Sequence, residues 1–361
     1  MMGITTRRLR AQGLTGKPFA SPVDAVRRLG AVQSQDYGGA KWALAQRSRA
    51  TTDSALDRLF DHGEILRTHV MRPTWHLVVP EDIGWLLDLT ASRVRAGLAS
   101  RYRELEIDDK VAGRACAAFA AALAGGKHLT RAELGKTLRA AGISPEGQRL
   151  PHLLLRAELD KIIVSGPRRG KQFTFALFDE RVPNSREMDR NESLTELARR
   201  YFRSHGPAQI PDFTWWSGLT AAEARKGIEL AGGALEHASI EGKDYWYDAT
   251  ASQVQGAGVI AHLLPNFDEY TVGYRDRSAL IPAGGRFDPS LFSFGSILSN
   301  VVTIDGVVRG AWRRSSARSG LLIEMRLSER LAAREVAAVE EGVRRMARFL
   351  GRPVNVALTQ G

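Results

Sequence analysis

Cysteine is all but missing from this chain. Cys116 stands alone among 361 residues, so no intrachain disulfide and no thiolate zinc finger can form. It lies in an apolar, Ala-rich run, Ala115-Cys116-Ala117-Ala118-Phe119, which reads as small core packing rather than a nucleophile. Long apolar stretches are missing too. No run of about 18 apolar residues occurs, and no basic start leads into an apolar segment, so we expect neither a membrane span nor a signal peptide, and a cytoplasmic protein. The eight histidines are scattered, without the paired spacing of a metal site. Phosphate-cradling loops of the Gly-x-x-x-x-Gly-Lys-Ser kind and Gly-x-Gly-x-x-Gly turns after a strand are also lacking, which argues against nucleotide-driven and dinucleotide-dependent enzymes. We expect no metal and no cofactor.

Negative charge is in deficit. Lys+Arg 51 against Asp+Glu 40 gives +11, with a pI near 10.1. That balance is the electrostatic footprint of a protein that meets a polyanion. Much of it is arginine, whose planar fork suits phosphates and guanine edges. With 43% apolar and 25% charged residues, the chain has the composition of an ordinary globular protein, long enough for two or three packed units.

Read in order, the chain has a modular rhythm. The first unit, 1–80, opens with a short basic helix from Thr5 to Ala11. Ser21-Pro22 starts a second helix carrying Ala25, Val26, Leu29 and Val32 on one face. Gly38-Gly39 is expected to break the chain before helical turns from Lys41 to Ser48 and from Ser54 to Phe60. Strand-like runs from Ile65 to His69 and Thr74 to Val79 follow. Several helices closed by a hairpin is the order of a winged helix. Residues 81–127 read as a helical spacer. A second winged helix, 128–190, begins at the capping box Thr130-Arg131-Ala132-Glu133 and ends in a hairpin whose basic tip offers Arg168, Arg169 and Lys171 as phosphate contacts. A third, 191–257, has caps expected at Ser193 and Thr220 and a hairpin about Glu241-Gly242. Between its helices, Phe213, Trp215 and Trp216 read as core, or as a surface for unpaired bases. The last unit, 258–361, is β-rich, with a hairpin about Asp305-Gly306 and a final helix capped at Ser328, its apolar positions three and four apart.

One short stretch carries chemistry. Gln33-Ser34-Gln35-Asp36 follows the apolar helix of the first unit. In an extended backbone the two glutamines share a side, because side chains alternate. In a continuing helix they would lie roughly 200° apart. The chemical reading therefore requires the helix to end by about Val32, presenting two carboxamide oxygens and no strong base. The plain alternative is two surface glutamines at a helix end.

Three segments together resemble the AlkZ/YcaQ-type bacterial DNA glycosylases, within a broader group of winged-helix DNA-binding proteins. They are Gln33-Ser34-Gln35-Asp36, Arg67-Thr68-His69-Val70-Met71-Arg72-Pro73-Thr74-Trp75-His76-Leu77-Val78, and Leu264-Pro265-Asn266-Phe267-Asp268-Glu269-Tyr270 leading into Gly273-Tyr274-Arg275-Asp276-Arg277. The resemblance covers nearly the whole chain. It implies an α+β fold of tandem winged-helix modules around a concave DNA-binding channel, with a C-terminal small sheet and helix. It also implies hydrolysis of the N-glycosidic bond of alkylated purines, including some interstrand crosslinks, with Gln33 and Gln35 matching the catalytic Gln-x-Gln of the AlkZ branch.

The chemistry is coherent on its own terms. Guanine alkylated at N7 is already cationic and leaves as a neutral base without a general acid. A site then needs only to hold water beside the developing oxocarbenium sugar, which two oriented carboxamide dipoles can do. Asp36 is a possible second base, although alternation turns it away from the glutamines. Arg67, Arg72, His76, Arg275 and Arg277 are expected on the DNA backbone near the lesion, with Trp75 and Tyr270 stacking or in the core. The expected partner of this monomer is double-stranded DNA containing alkylated bases. The competing reading is a noncatalytic winged-helix DNA-binding protein or transcription regulator, which would prefer one DNA sequence over a lesion.

Overall fold

The helix Pro22–Leu29 is held at its start by Ser21, whose hydroxyl accepts from the Asp24 amide, and stops at Gly30, where φ is +82°. Only glycine reaches that backbone region without strain. The turn sends the next residues into an extended path, and Val32–Gln33 pairs with Trp75–Val78 of the following hairpin, Val32 opposite Leu77 and Gln33 opposite His76. The helix thus ends where the Gln-x-Gln reading needs it to.

The computed structural model describes residues 3–250, 258–281, 300–317 and 320–360. It has a mixed α+β architecture in which one topology recurs. In the first unit, a helix, the short strand Val32–Gln33, helices Tyr37–Ala45 and Asp53–His62 and the hairpin Leu66–His69/Trp75–Val78 come in that order, and the short strand pairs with the hairpin's second arm. The second unit repeats it with Asp109–Leu123, Leu129–Thr130, Arg131–Ala140, Arg149–Leu159, Ile163–Arg169 and Gln172–Leu177. The third repeats it again from Arg190–His205 to the hairpin Leu235–Ile240/Lys243–Asp248, with the short strand reduced to one bridge between Ala208 and Trp246. The boundary expected at 257 falls among residues outside the described set.

The C-terminal part is a five-stranded sheet in the order Val354–Gln360, Gly320–Leu327, Val307–Ala317, Val301–Ile304, Ala261–Leu264, backed by the helix Ala333–Leu350. It shares a core with the first unit: Val26, Leu29, Trp42 and Leu77 pack with Leu263, Ile323, Met325 and Met346. That shared core brings the chain after Leu264 against the glutamine segment. Another cluster joins the helix Pro80–Gly97 to the third unit through Trp85, Leu89, Tyr201, Phe213 and Trp216. Of the helical stretch after residue 80, Asp109–Leu123 packs into the second unit through Ala112, Ala115 and Phe119.

Several local expectations change. Gly38 and Gly39 do not break the chain but lie in the first turn of Tyr37–Ala45, where Asp36 caps by accepting from the Gly39 amide at 3.1 Å. A Cβ on Gly39 would stand 2.8 Å from Asp36 Oδ2 and 3.2 Å from Pro265 Cβ, so glycine is there for close approach. The cap of Arg190–His205 is Asp189 with Glu192, not Ser193, which is buried inside the helix. The last helix begins at Ala333, with the Glu335 carboxylate accepting from the Ala332 amide, while Ser328 donates to the Arg309 carbonyl. The strand Val354–Gln360 pairs parallel to Gly320–Leu327 and was not expected. Cys116 sits partly buried, its thiol pushed up to about 11 by burial.

A buried ion pair ties the first unit to the C-terminal part. Arg47 donates two hydrogen bonds to Asp268, 2.9 and 2.6 Å, and one each to Ala43 and Gln12. Removing one partner strands the other charge in the interior, a loss of about 3–5 kcal/mol. Arg47→Met is expected to lose stability of that order in urea denaturation, and Arg47→Met combined with Asp268→Leu to recover part of it.

Candidate active site

Gln33 is buried and held from three directions. Its backbone N–H donates to Glu269 Oε1 at 2.7 Å, its strand partner is His76, and its side-chain oxygen accepts from Arg72 at 3.0 Å. Gln35 is exposed, and its side-chain oxygen accepts from the Trp75 backbone N–H at 2.8 Å. A guanidinium and a backbone amide can only donate, so both carboxamides are fixed oxygen-inward toward the Arg72–Trp75 turn. Between them, the Ser34 amide donates to the Trp75 carbonyl at 2.7 Å, continuing the ladder, while Arg67 donates twice to the Ser34 carbonyl. The strand ends at Gln33 and the chain bends at Gln35, yet both side-chain oxygens reach the same Arg72–Trp75 turn.

Glu269 is the group that sequence reasoning missed. It lies in the segment Asp268-Glu269-Tyr270, but nothing in its spacing marked it. It is fully buried, and both oxygens are committed: Oε1 to Gln33, Oε2 to the Trp216 indole at 2.9 Å and to His205 at 3.4 Å. Burial alone would push its carboxyl up, but hydrogen bonds from His205 and Gln33 hold it below the ordinary value. It is therefore an anion fixed in place, not a free base.

His76 is also fully buried. Its Nδ1–H donates to the Thr74 carbonyl at 2.9 Å, leaving the Nε2 lone pair with no partner among the described residues. Burial, then the positive charge of Arg72, lowers its pKa to about 3. Arg72 is lowered by burial and partly restored by Glu269. Arg67 falls to about 10, mainly through burial, and its guanidinium packs over the rings of Trp75 at 4.2 Å and Phe173 at 4.7 Å. Unpartnered buried polar atoms cluster in this region: Arg72 Nε, Thr74 Oγ1, His76 Nε2, Ser34 Oγ and Thr68 Oγ1.

The remaining expected residues fall in different places. Asp36 is spent on capping Tyr37–Ala45. Trp75 is half-buried against His69 at 3.8 Å. Tyr270 is core, its hydroxyl donating to the Gly306 carbonyl. Arg67 and His76 are too deep to face a phosphate as they stand. Arg168 pairs with Asp57 and Asp61 of the first unit, so the hairpin tip docks rather than projecting freely. Arg169 bonds Glu133 and the His128 carbonyl while staying half exposed, and Lys171 is exposed. Arg275 is exposed and Arg277 half-buried, the latter within electrostatic reach of Arg72. Of the aromatic trio, Phe213 and Trp216 are core while Trp215 is exposed. Among the described residues, no group of three or more potential metal ligands occurs, and no helix is long and apolar enough to cross a membrane.

Comparison with known proteins agrees with the family resemblance. The model of the AlkZ-like DNA glycosylase family matches residues 26–349. A protein described as an interstrand DNA cross-link repair glycosylase, from Streptomyces sahachiroi, is 28% identical over 334 residues, 84% of this chain and 85% of that protein. The solved structure of Streptomyces sahachiroi DNA glycosylase AlkZ superposes with a TM-score of 0.79 over 99% of this chain and 98% of that one, at 24% identity, a likeness of fold.

His76 supplies a pH prediction. Its folded pKa of about 3 lies below the unfolded value of roughly 6.5, so on acidification the unfolded chain takes the proton first. The stability tied to this group is fully present above pH 6.5 and is lost as pH falls toward 3, by up to about 1.4 kcal/mol per pH unit. The His76 imidazole NMR signals are expected not to titrate between pH 8 and 5. Urea denaturation of His76→Gln should fall less steeply from pH 6.5 to 4.5 than that of the wild type.

Proposed function

The chain belongs to the AlkZ-like DNA glycosylase family, and from that premise we propose that it hydrolyses the N-glycosidic bond of cationic alkylated purines, of the N7-alkylguanine type, using Gln33 and Gln35. Bulky adducts and interstrand crosslinks of that cationic type fall within the proposal, crosslink repair being what the Streptomyces sahachiroi relative is named for. One observation carries the reading: the two carboxamides, two residues apart in the chain, are both oriented by donors from a single turn, Arg72 and the Trp75 amide. Each oxygen keeps a second lone pair for a water.

In this mechanism the water oxygen bonds to C1′ as the C1′–N9 bond breaks. The bonding pair passes to the purine and neutralises its positive charge, so no acid is needed. The water loses its proton to solvent. Carboxamide dipoles hold the water and face the developing sugar cation without the reorganisation that free water requires. So weak a pair leaves neutral, unactivated bases untouched, and normal guanine is rejected by chemistry as much as by fit. Lys41 is tied to Asp53 and Asp57, which fits a monofunctional enzyme with water rather than an amine as nucleophile.

The three repeated units read as winged helices, 1–80, 128–190 joined by the packed helix Asp109–Leu123, and 191–257, around a concave channel for double-stranded DNA, with the rest of 81–127 as spacer and 258–361 completing the site. An open channel suits adducts too bulky to flip into a closed pocket. Exposed Lys171, Arg169 and Arg275, with the half-buried Arg277, are the backbone contacts best placed in this arrangement, and the protein acts as a monomer. A noncatalytic regulator shares the folds and charge, but the family match does not favour it.

Single-turnover release of N7-methylguanine from duplex DNA, followed by mass spectrometry, tests the reading. Wild type is expected to release the base, and Gln33→Ala and Gln35→Ala to be at least tenfold slower while binding DNA normally, about 1.4 kcal/mol of transition-state stabilisation each. Equal rates in all three would remove the glutamines from the chemistry.

A further inference from the structure

The mechanism leaves one residue of the aromatic trio unused. Trp215 lies on the helix Ile210–Ser217 beside Trp216, yet its ring is 45% exposed where Trp216 is fully buried. An exposed tryptophan is usually free to rotate. This one is not, because its Nε1–H donates to the Val272 carbonyl at 3.0 Å. Arg277 stands next to it, guanidinium carbon 5.9 Å from the ring centroid, its Nε donating to the Thr271 carbonyl. The frame is rigid: Asp212 of the same helix accepts from the backbone amides of Arg275 and Asp276.

Both side chains therefore hang from the last carbonyls of Glu269–Val272, the short helix whose first residue holds the Gln33 amide. Four residues span about 6 Å, on the order of two base steps along one strand. Neither Arg275 nor Arg277 has a carboxylate partner among the described residues, and burial without such a partner lowers Arg277. A fixed, half-exposed indole with one guanidinium at its ring, that of Arg277, free of any carboxylate among the described residues, is the combination that receives a nucleotide, base on the ring and phosphate on the cation.

We propose that Trp215 is a stacking platform for a nucleobase left unpaired at the lesion, with the adjoining phosphate on Arg277. The inference rests on the DNA glycosylase reading but assigns a binding role outside the hydrolytic site. The base comes from one of two sources: the orphan opposite the lesion, or a flanking base displaced from the stack.

The test uses the full chain and duplexes bearing a tetrahydrofuran abasic analogue, with affinity from anisotropy of labelled DNA and stacking from tryptophan emission. The signal assigned to Trp215 is wild type minus Trp215→Phe. Expected are quenching of that difference by abasic duplex but not by intact duplex, about tenfold weaker abasic binding in Trp215→Ala, and a fall of about 0.9 in the slope of log affinity against log salt in Arg277→Gln. Quenching lost when the opposite nucleotide is also abasic identifies the orphan base, and quenching retained identifies a flanking base. Tight binding without Trp215-dependent quenching would overturn the platform alone, as would equal losses on intact and abasic duplex. Failure to bind any DNA would overturn the glycosylase reading with it.

Discussion

Burying a carboxylate is among the costliest things a fold can do unless donors compensate it, and the site is arranged around one that is compensated. Glu269 sits in the interior with donors on both oxygens: the Gln33 amide, the Trp216 indole and His205. The donors come from the first and third units while the carboxylate belongs to the C-terminal part, so satisfying one charge fixes three distant stretches of chain against each other. Arg47 and Asp268 do the same one residue earlier. The segment 268–269 is therefore a double anchor, and the position of the glutamine motif follows from it. The neutral His76 and the cationic Arg72 pack round that anion.

The chemistry inferred for the site depends on this rigidity. Carboxamide oxygens are weak acceptors, and their contribution comes from being aimed before the reaction begins. Gln33 and Gln35 take their aim from Arg72 and the Trp75 amide, in a turn whose Met71 amide donates to the Thr90 hydroxyl. A neutral catalytic pair and a leaving group that already carries its charge belong together.

Much of the fold was legible because local physics decided it. Thr130 and Glu133, like Thr220 and Glu223, form the capping boxes their spacing announces, and the Asp305-Gly306 turn closes the expected hairpin. Where glycine serves close approach rather than a break, as at Gly39, local pattern misleads, because the neighbour it accommodates comes from elsewhere in the chain. The helix before the Gln-x-Gln motif had to end by about Val32, and it ends earlier, at Gly30; the partners of the motif were not legible. Glu269 is more than 230 residues away from Gln33 in the chain, and the depth of Arg67 and His76 is set by packing across units. Trp215 and Trp216 are neighbours in sequence, yet only the assembled fold decides that one is core and the other surface.

The claim that the site depends on the buried anion is tested most directly by Glu269→Gln, which is nearly isosteric. It keeps an acceptor for the Gln33 amide but turns an NH2 toward the Trp216 and His205 donors. The account expects a folded protein with DNA affinity within about twofold of wild type and N7-methylguanine release slowed at least tenfold, the equivalent of about 1.4 kcal/mol. Release at the wild-type rate by the folded variant would contradict it, because the position of Gln33 would then not depend on that charge.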